Sequence, residues 1–161
     1  MSNDDLYVGR EQTLVKHFIF QKHLERFAYI VGSHWEVLTY VDCFSGPWNA
    51  RSEKFEDSSF AIALKELRNA RDALAKQRGR DIQLRCFFLE KNRAAYAKLK
   101  EFAGGVTDAK IEPRNATLEE SIPCIVDFVQ HGGSKAVFLS SFLIQPAGLV
   151  SRWRRLPHCY S

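Results

Sequence analysis

Thr39-Tyr40-Val41-Asp42-Cys43-Phe44-Ser45-Gly46-Pro47-Trp48 (TYVDCFSGPW) is the stretch on which the reading of this chain turns. Its first residues close a β-branched and aromatic run over 37–41, the composition of a short strand. An acid follows at once, and Gly46 stands four residues after it. In an open α/β sheet, ligands sit at the carboxyl ends of the strands. The spacing places Asp42 at such an end. Gly46 lets backbone pass close to a ligand, because a β-carbon there would obstruct the approach.

Reading outward, residues 83–89 (QLRCFFL) form a second strand that runs into Glu90. An acid at the end of the second strand commonly accepts hydrogen bonds from ribose hydroxyls. Asp42 and Glu90 at neighbouring strand ends, one beside a glycine turn, make a nucleoside-binding constellation. Each alone has a plainer explanation: Asp-x-x-x-Gly is an ordinary turn, and a strand-end Glu is a solvated charge.

The remaining elements alternate. Apolar residues at Leu14, Phe18, Leu24, Phe27, Ile30 and Val31 predict a helix over 14–31, capped by Thr13 and ended by Gly32. Residues 43–57 read as a loop. Ser58 or Ser59 opens a helix carrying Phe60, Ile62, Leu64, Leu67 and Leu74, and Gly79 stops it. Asn92 caps a third helix with Tyr96, Leu99 and Phe102 on one face, ended by Gly104 and Gly105. Residues 109–112 are a weak third strand. Thr117 and Glu120 match a capping box, while Pro123 argues for a helix start nearer Ser121. Residues 135–139 (KAVFL) begin a fourth strand. Strand–helix alternation predicts an α/β fold with a mainly parallel sheet covered on both faces. Right-handed crossovers favour a Rossmann-like half-sheet of about four strands, incomplete, with an N-terminal helix. The expected organisation is a flexible N-terminus over 1–12, the partial Rossmann-like domain over 13–148 and a basic tail over 149–161.

With 161 residues, 45% apolar and 26% charged, the chain is long enough for one domain with a sizeable core. Its net charge of +4 suits nucleic acid or an anionic ligand but requires neither. Cys43, Cys86, Cys124 and Cys159 contain no C-x-x-C, which fits a reduced, cytoplasmic protein. No signal peptide and no membrane-spanning run is present. The histidines have no metal-ligand spacing, so no metal site is expected. Neither a nucleophile elbow nor a phosphate loop occurs. Cys43 reads as a small buried residue rather than a reactive thiol. Arg152-Trp153-Arg154-Arg155 pairs charge with an aromatic, as nucleic-acid contacts do, although such runs also occur as solvated tails.

The stretch YVDCFSGP resembles the first motif of the class I S-adenosylmethionine-dependent methyltransferases. More narrowly, it resembles the three-Cys-motif partner protein family. Members carry a Lys-His helix, a Tyr-h-Asp-x-Phe-x-Gly-Pro-Gly stretch and a Gly-Ser-Pro segment opening a helix. Here Lys16-His17, TYVDCFSGP and Asp57-Ser58-Ser59-Phe60-Ala61 stand in those places, and FFLEKN (residues 87–92) matches the second strand with its acid. The likeness covers about residues 14–140. It implies S-adenosylmethionine as cofactor, with Asp42, Phe44, Ser45 and Gly46 on the methionine side, Glu90 on the ribose and Asn115 towards the adenine. It also implies a partner protein carrying three cysteines.

Three departures bear on activity. Trp48 replaces the glycine that usually follows Gly-Pro, and Gln145 stands where relatives have an acid after the fourth strand. Glutamine cannot serve as a carboxylate base. After Gly148 the alternation stops, which reads as a truncated methyltransferase fold with an exposed sheet edge at the fourth strand, open to a partner or a homodimer contact. No catalytic residue is assigned. The expectation is a methyltransferase-like cofactor-binding protein. Its rival is a non-enzymatic interaction module that docks on a protein or, through Arg152, Arg154 and Arg155, on nucleic acid.

Overall fold

The structure, a computed structural model, describes residues 11–45, 58–131 and 137–139. Eight elements follow in order: α1 (Glu11–Gly32), β1 (Val37–Asp42), α2 (Ser59–Arg78), β2 (Gln83–Leu89), α3 (Arg93–Gly104), β3 (Lys110–Arg114), α4 (Leu118–Gln130) and β4 (Val137–Leu139). The alternation expected from the sequence is present, and all strand pairs are parallel. The sheet has the order β3-β2-β1-β4. The chain therefore steps outward from β1 to β3 and then returns across the sheet to pair β4 with β1. This mixed α/β architecture is compatible with a Rossmann-like arrangement, in which ligands lie where the direction of strand order reverses. Among the described residues β4 is an edge strand.

Side chains alternate across the two sheet faces, as the period of a strand requires. On one face Leu38, Tyr40, Leu84, Cys86 and Phe88 join Phe20 and Leu24 of α1, Phe60, Leu64 and Leu67 of α2 and Leu99 of α3. On the other, Val41, Phe87 and Leu89 pack against Phe128 of α4. Three helices thus cover one face and α4 covers the other. A fully buried Leu or Phe of this kind contributes about 1.5–3 kcal/mol, so the first, larger cluster carries most of the fold.

Several boundaries differ from expectation for identifiable reasons. α1 starts at Glu11, two residues before Thr13. Its buried stripe is Phe20, Leu24 and Ala28, whereas Phe18 and Ile30, expected on the packed face, are exposed. Gly32 is where α1 meets its neighbours: a β-carbon there would come within 2.6 Å of Leu74 Cδ1. β3 runs past Pro113. A proline is tolerated there because, among the described residues, β3 pairs on one side only. α4 starts at the Thr117 cap with both capping-box bonds formed, not nearer Ser121, and carries Pro123 inside. The proline costs the helix one N–H, while the box satisfies the orphan donors at its start. Ser58 is the cap of α2, and Gly79 ends that helix in the left-handed conformation.

Candidate functional site

β1 ends on Asp42, which is 1% exposed. Its Oδ1 accepts the Phe44 N–H at 3.0 Å, and its Oδ2 accepts the Ser59 hydroxyl at 3.0 Å. Ser59 is the first residue of α2, so the carboxylate sits at a helix N-terminus, where negative charge is favoured. The Ser45 hydroxyl donates to the Asp42 carbonyl at 2.8 Å, closing the turn after the strand. The Ser45 N–H donates to the Leu89 carbonyl at 2.8 Å. That bond carries the turn across onto the end of β2.

Glu90 follows immediately. It is 3% exposed, which replaces the plainer view of it as a solvated strand-end charge. Its N–H donates to the Arg114 carbonyl at 3.0 Å, and its Oε1 accepts the Asn92 N–H at 2.6 Å. Asn92 in turn caps α3 by accepting from the Ala94 and Ala95 N–H groups. Asn115, just past β3, donates through Nδ2 to the carbonyls of Glu90 and Lys91 at 2.8 and 3.1 Å. Both amide protons are thereby used, and Oδ1 remains as an acceptor.

Asp42 and Glu90 continue the same side of the sheet. Asp42 pairs in register with Phe88, and Glu90 lies two residues beyond it. Burial pushes the Asp42 carboxyl upward from its ordinary value, and the nearby Glu90 charge adds to the rise. Hydrogen bonds from Phe44, Ser59 and Ser45 oppose it. Two desolvated carboxylates so placed attract hydroxyl, amine and cationic groups. Burial also pushes the Cys43 thiol up to about 12, with Asp42 contributing, so this cysteine stays protonated and unreactive near neutrality.

Asp42, Phe44, Ser45, Glu90 and Asn115 thus lie on the carboxyl-end side of β1, β2 and β3, stitched by hydrogen bonds. Gly46, Trp48 and Gln145 lie outside the described residues, as do Arg152, Arg154, Arg155 and Cys159. Ser59 is the participant that sequence reasoning did not single out for the site. Its sequence position marks it only as a helix opener, and nothing local signals that its hydroxyl reaches back to Asp42. Among the described residues no three His, Cys, Asp or Glu side chains gather into a metal site, and no helix is long and apolar enough to cross a membrane.

Compared with protein-family models, curated proteins and solved structures, the chain matches none.

Proposed function

We propose that this chain binds S-adenosylmethionine over the carboxyl ends of β1 and β2 and is methyltransferase-like, of the three-Cys-motif partner type. The observation that carries the reading is the buried Asp42–Glu90 pair at adjacent parallel strand ends, where the strand order changes direction. The donor set suits the cofactor: its ribose hydroxyls, amino group and sulfonium are donors or positive charge, and the site offers buried acceptors. Glu90 would accept from the ribose. Asp42 with the turn at Phe44 and Ser45, and Gly46 following it, would hold the methionine side. The Asn115 Oδ1 would accept from an adenine amine. When bound, the cofactor supplies a methyl group activated by the sulfonium. The chain's own contribution is orientation on a fixed floor and a negative local potential.

Calorimetry with S-adenosylmethionine and S-adenosylhomocysteine tests this. Binding that is lost in D42N and in E90Q is the expected result. The absence of heat at millimolar ligand in the native chain removes the proposal.

A second reading, an interaction module, is favoured by one feature. Val15, Phe18, Ile19 and Ile30 leave apolar surface exposed along α1, beside a groove lined by Tyr29 and Ala73. On this reading the sheet edge at β4 or the basic residues 152, 154 and 155 would serve a protein, second-copy or nucleic-acid contact. A salt-dependent gel shift with RNA and light scattering of the chain, in the absence of any cofactor heat, would select it.

A further inference from the structure

Arg85 is the only buried cation among the described residues, at 7% exposure. It lies on the amino-end half of β2, on the face covered by α4, and its Cζ stands 4.2 Å from the centre of the Phe128 ring. Its Nη1 has no hydrogen-bond partner among the described residues, and no carboxylate there pairs with it. In register, Arg85 stands between Thr39 of β1 and Lys110 of β3. Thr39 is fully buried, and its Oγ1 also lacks a partner. The Lys110 Nζ lies 6.0 Å from the same Phe128 ring.

The sheet therefore places two like charges as direct cross-strand neighbours beside an orphan hydroxyl. Like charges so placed oppose folding, and a desolvated cation without a counter-ion opposes it further. The acids nearby are paired elsewhere or exposed. Glu112 is held by Arg114 at 2.8 Å and Asp108 by Arg68 and Arg71, while Asp127 is largely exposed, its Oδ1 2.9 Å from His131 Nδ1. Asp81 is exposed. Arg85, Lys110 and His131 line two neighbouring cavities of about 420 and 690 Å³.

We propose that Arg85 and Lys110 form a binding site for a phosphate group, free or carried on a larger molecule. A guanidinium fork and an ammonium from adjacent strands, lining the same cavities, offer donors in several directions, which suits a tetrahedral oxyanion. The anion supplies the counter-charge that the described residues lack. The site lies at the opposite end of the strands from Asp42 and Glu90, so it does not rest on the cofactor reading.

The test is thermal unfolding and calorimetry of the full chain with inorganic phosphate, against sodium chloride at equal ionic strength. Phosphate is expected to raise Tm in proportion to the logarithm of its concentration above the dissociation constant, by roughly 4 °C at ten times that constant. R85M keeps the side-chain volume, removes the unpaired charge and is expected to abolish the shift. K110M should weaken binding about tenfold, and it carries the test if R85M fails to fold. D42N should leave the phosphate effect intact. Glycerol 3-phosphate as a second probe separates the sources: an equal shift points to free phosphate, a tighter one to a carried phosphate. No shift in the native chain, or a shift that survives undiminished in K110M, overturns the proposal.

Discussion

The Ser59 hydroxyl donates to Asp42 Oδ2 at 3.0 Å, joining the first residue of α2 to the last residue of β1 across 17 positions of chain. Both groups are buried. S59A strands one carboxylate oxygen without a donor, and a lost bond to a buried charged group costs about 1–3 kcal/mol. Urea unfolding of S59A should show that loss. In a double-mutant cycle with D42A the coupling should appear as an interaction of similar size. Additive single effects would mean the bond contributes nothing.

Asp42 also sets a pH dependence. Its folded-state pKa is raised above 3.8, chiefly by burial. Its contribution to stability is therefore fully present below the unfolded value and is lost as pH rises through the folded value. Relative to D42N, the native chain should lose urea resistance as pH rises above the ordinary carboxyl value of 3.8 and through the higher folded value. D42N should lack this loss and should fail to bind a cofactor. A native-minus-variant difference that stays flat with pH would contradict the assignment.

The thiols of Cys43 and Cys86 are pushed up to about 12, in both cases mainly by burial. At pH 8 the thiolate fraction is then on the order of 10⁻⁴. Iodoacetamide applied to the folded protein, followed by peptide mapping, should leave both unmodified and should label them only after denaturation. Rapid native labelling of Cys43 would show that the turn opens.

Arg68 and Arg71 of α2 converge on Asp108, the residue pair that ties this helix to the approach of β3. The Arg68 guanidinium beside Asp108 holds its carboxyl well below the usual carboxylate range. A depressed value contributes stability above the unfolded pKa and loses it as pH falls through the folded one. Because Asp108 is 35% exposed, solvent screens the network. D108N should accordingly cost about 1 kcal/mol at pH 7. The gap from the native chain should close in strong acid and shrink in high salt.

Much of this was legible because local signals agreed with one another. Asn92, Gly79 and the Thr117–Glu120 box mark helix ends by bonds made within a few residues, and the structure shows each of those bonds. The run over 83–89 is apolar enough to require burial on both sides, and it sits inside the sheet between β1 and β3. What escaped notice depends on distant partners. Phe18 was grouped with the core although α1 turns Phe20 and Leu24 towards the core, and only the position of α2 settles which stripe is covered. The burial of Glu90 goes with bonds made to the end of β2 from far along the chain, Asn115 to the Glu90 carbonyl and Ser45 to the Leu89 carbonyl, at separations no window registers. Arg85 reads as one polar residue in an apolar strand, and its isolation from acids appears only when β1, β3 and α4 surround it.

The Ser45–Leu89 hydrogen bond has a consequence for any molecule that docks at the strand ends. It welds two termini of the sheet into a single plate, with Asp42 on one half and Glu90 on the other. Such a plate needs no assembly at the moment of contact, so the entropic toll of ordering falls on the visitor alone. Recognition there would be quick to respond to shape and slow to forgive a misfit.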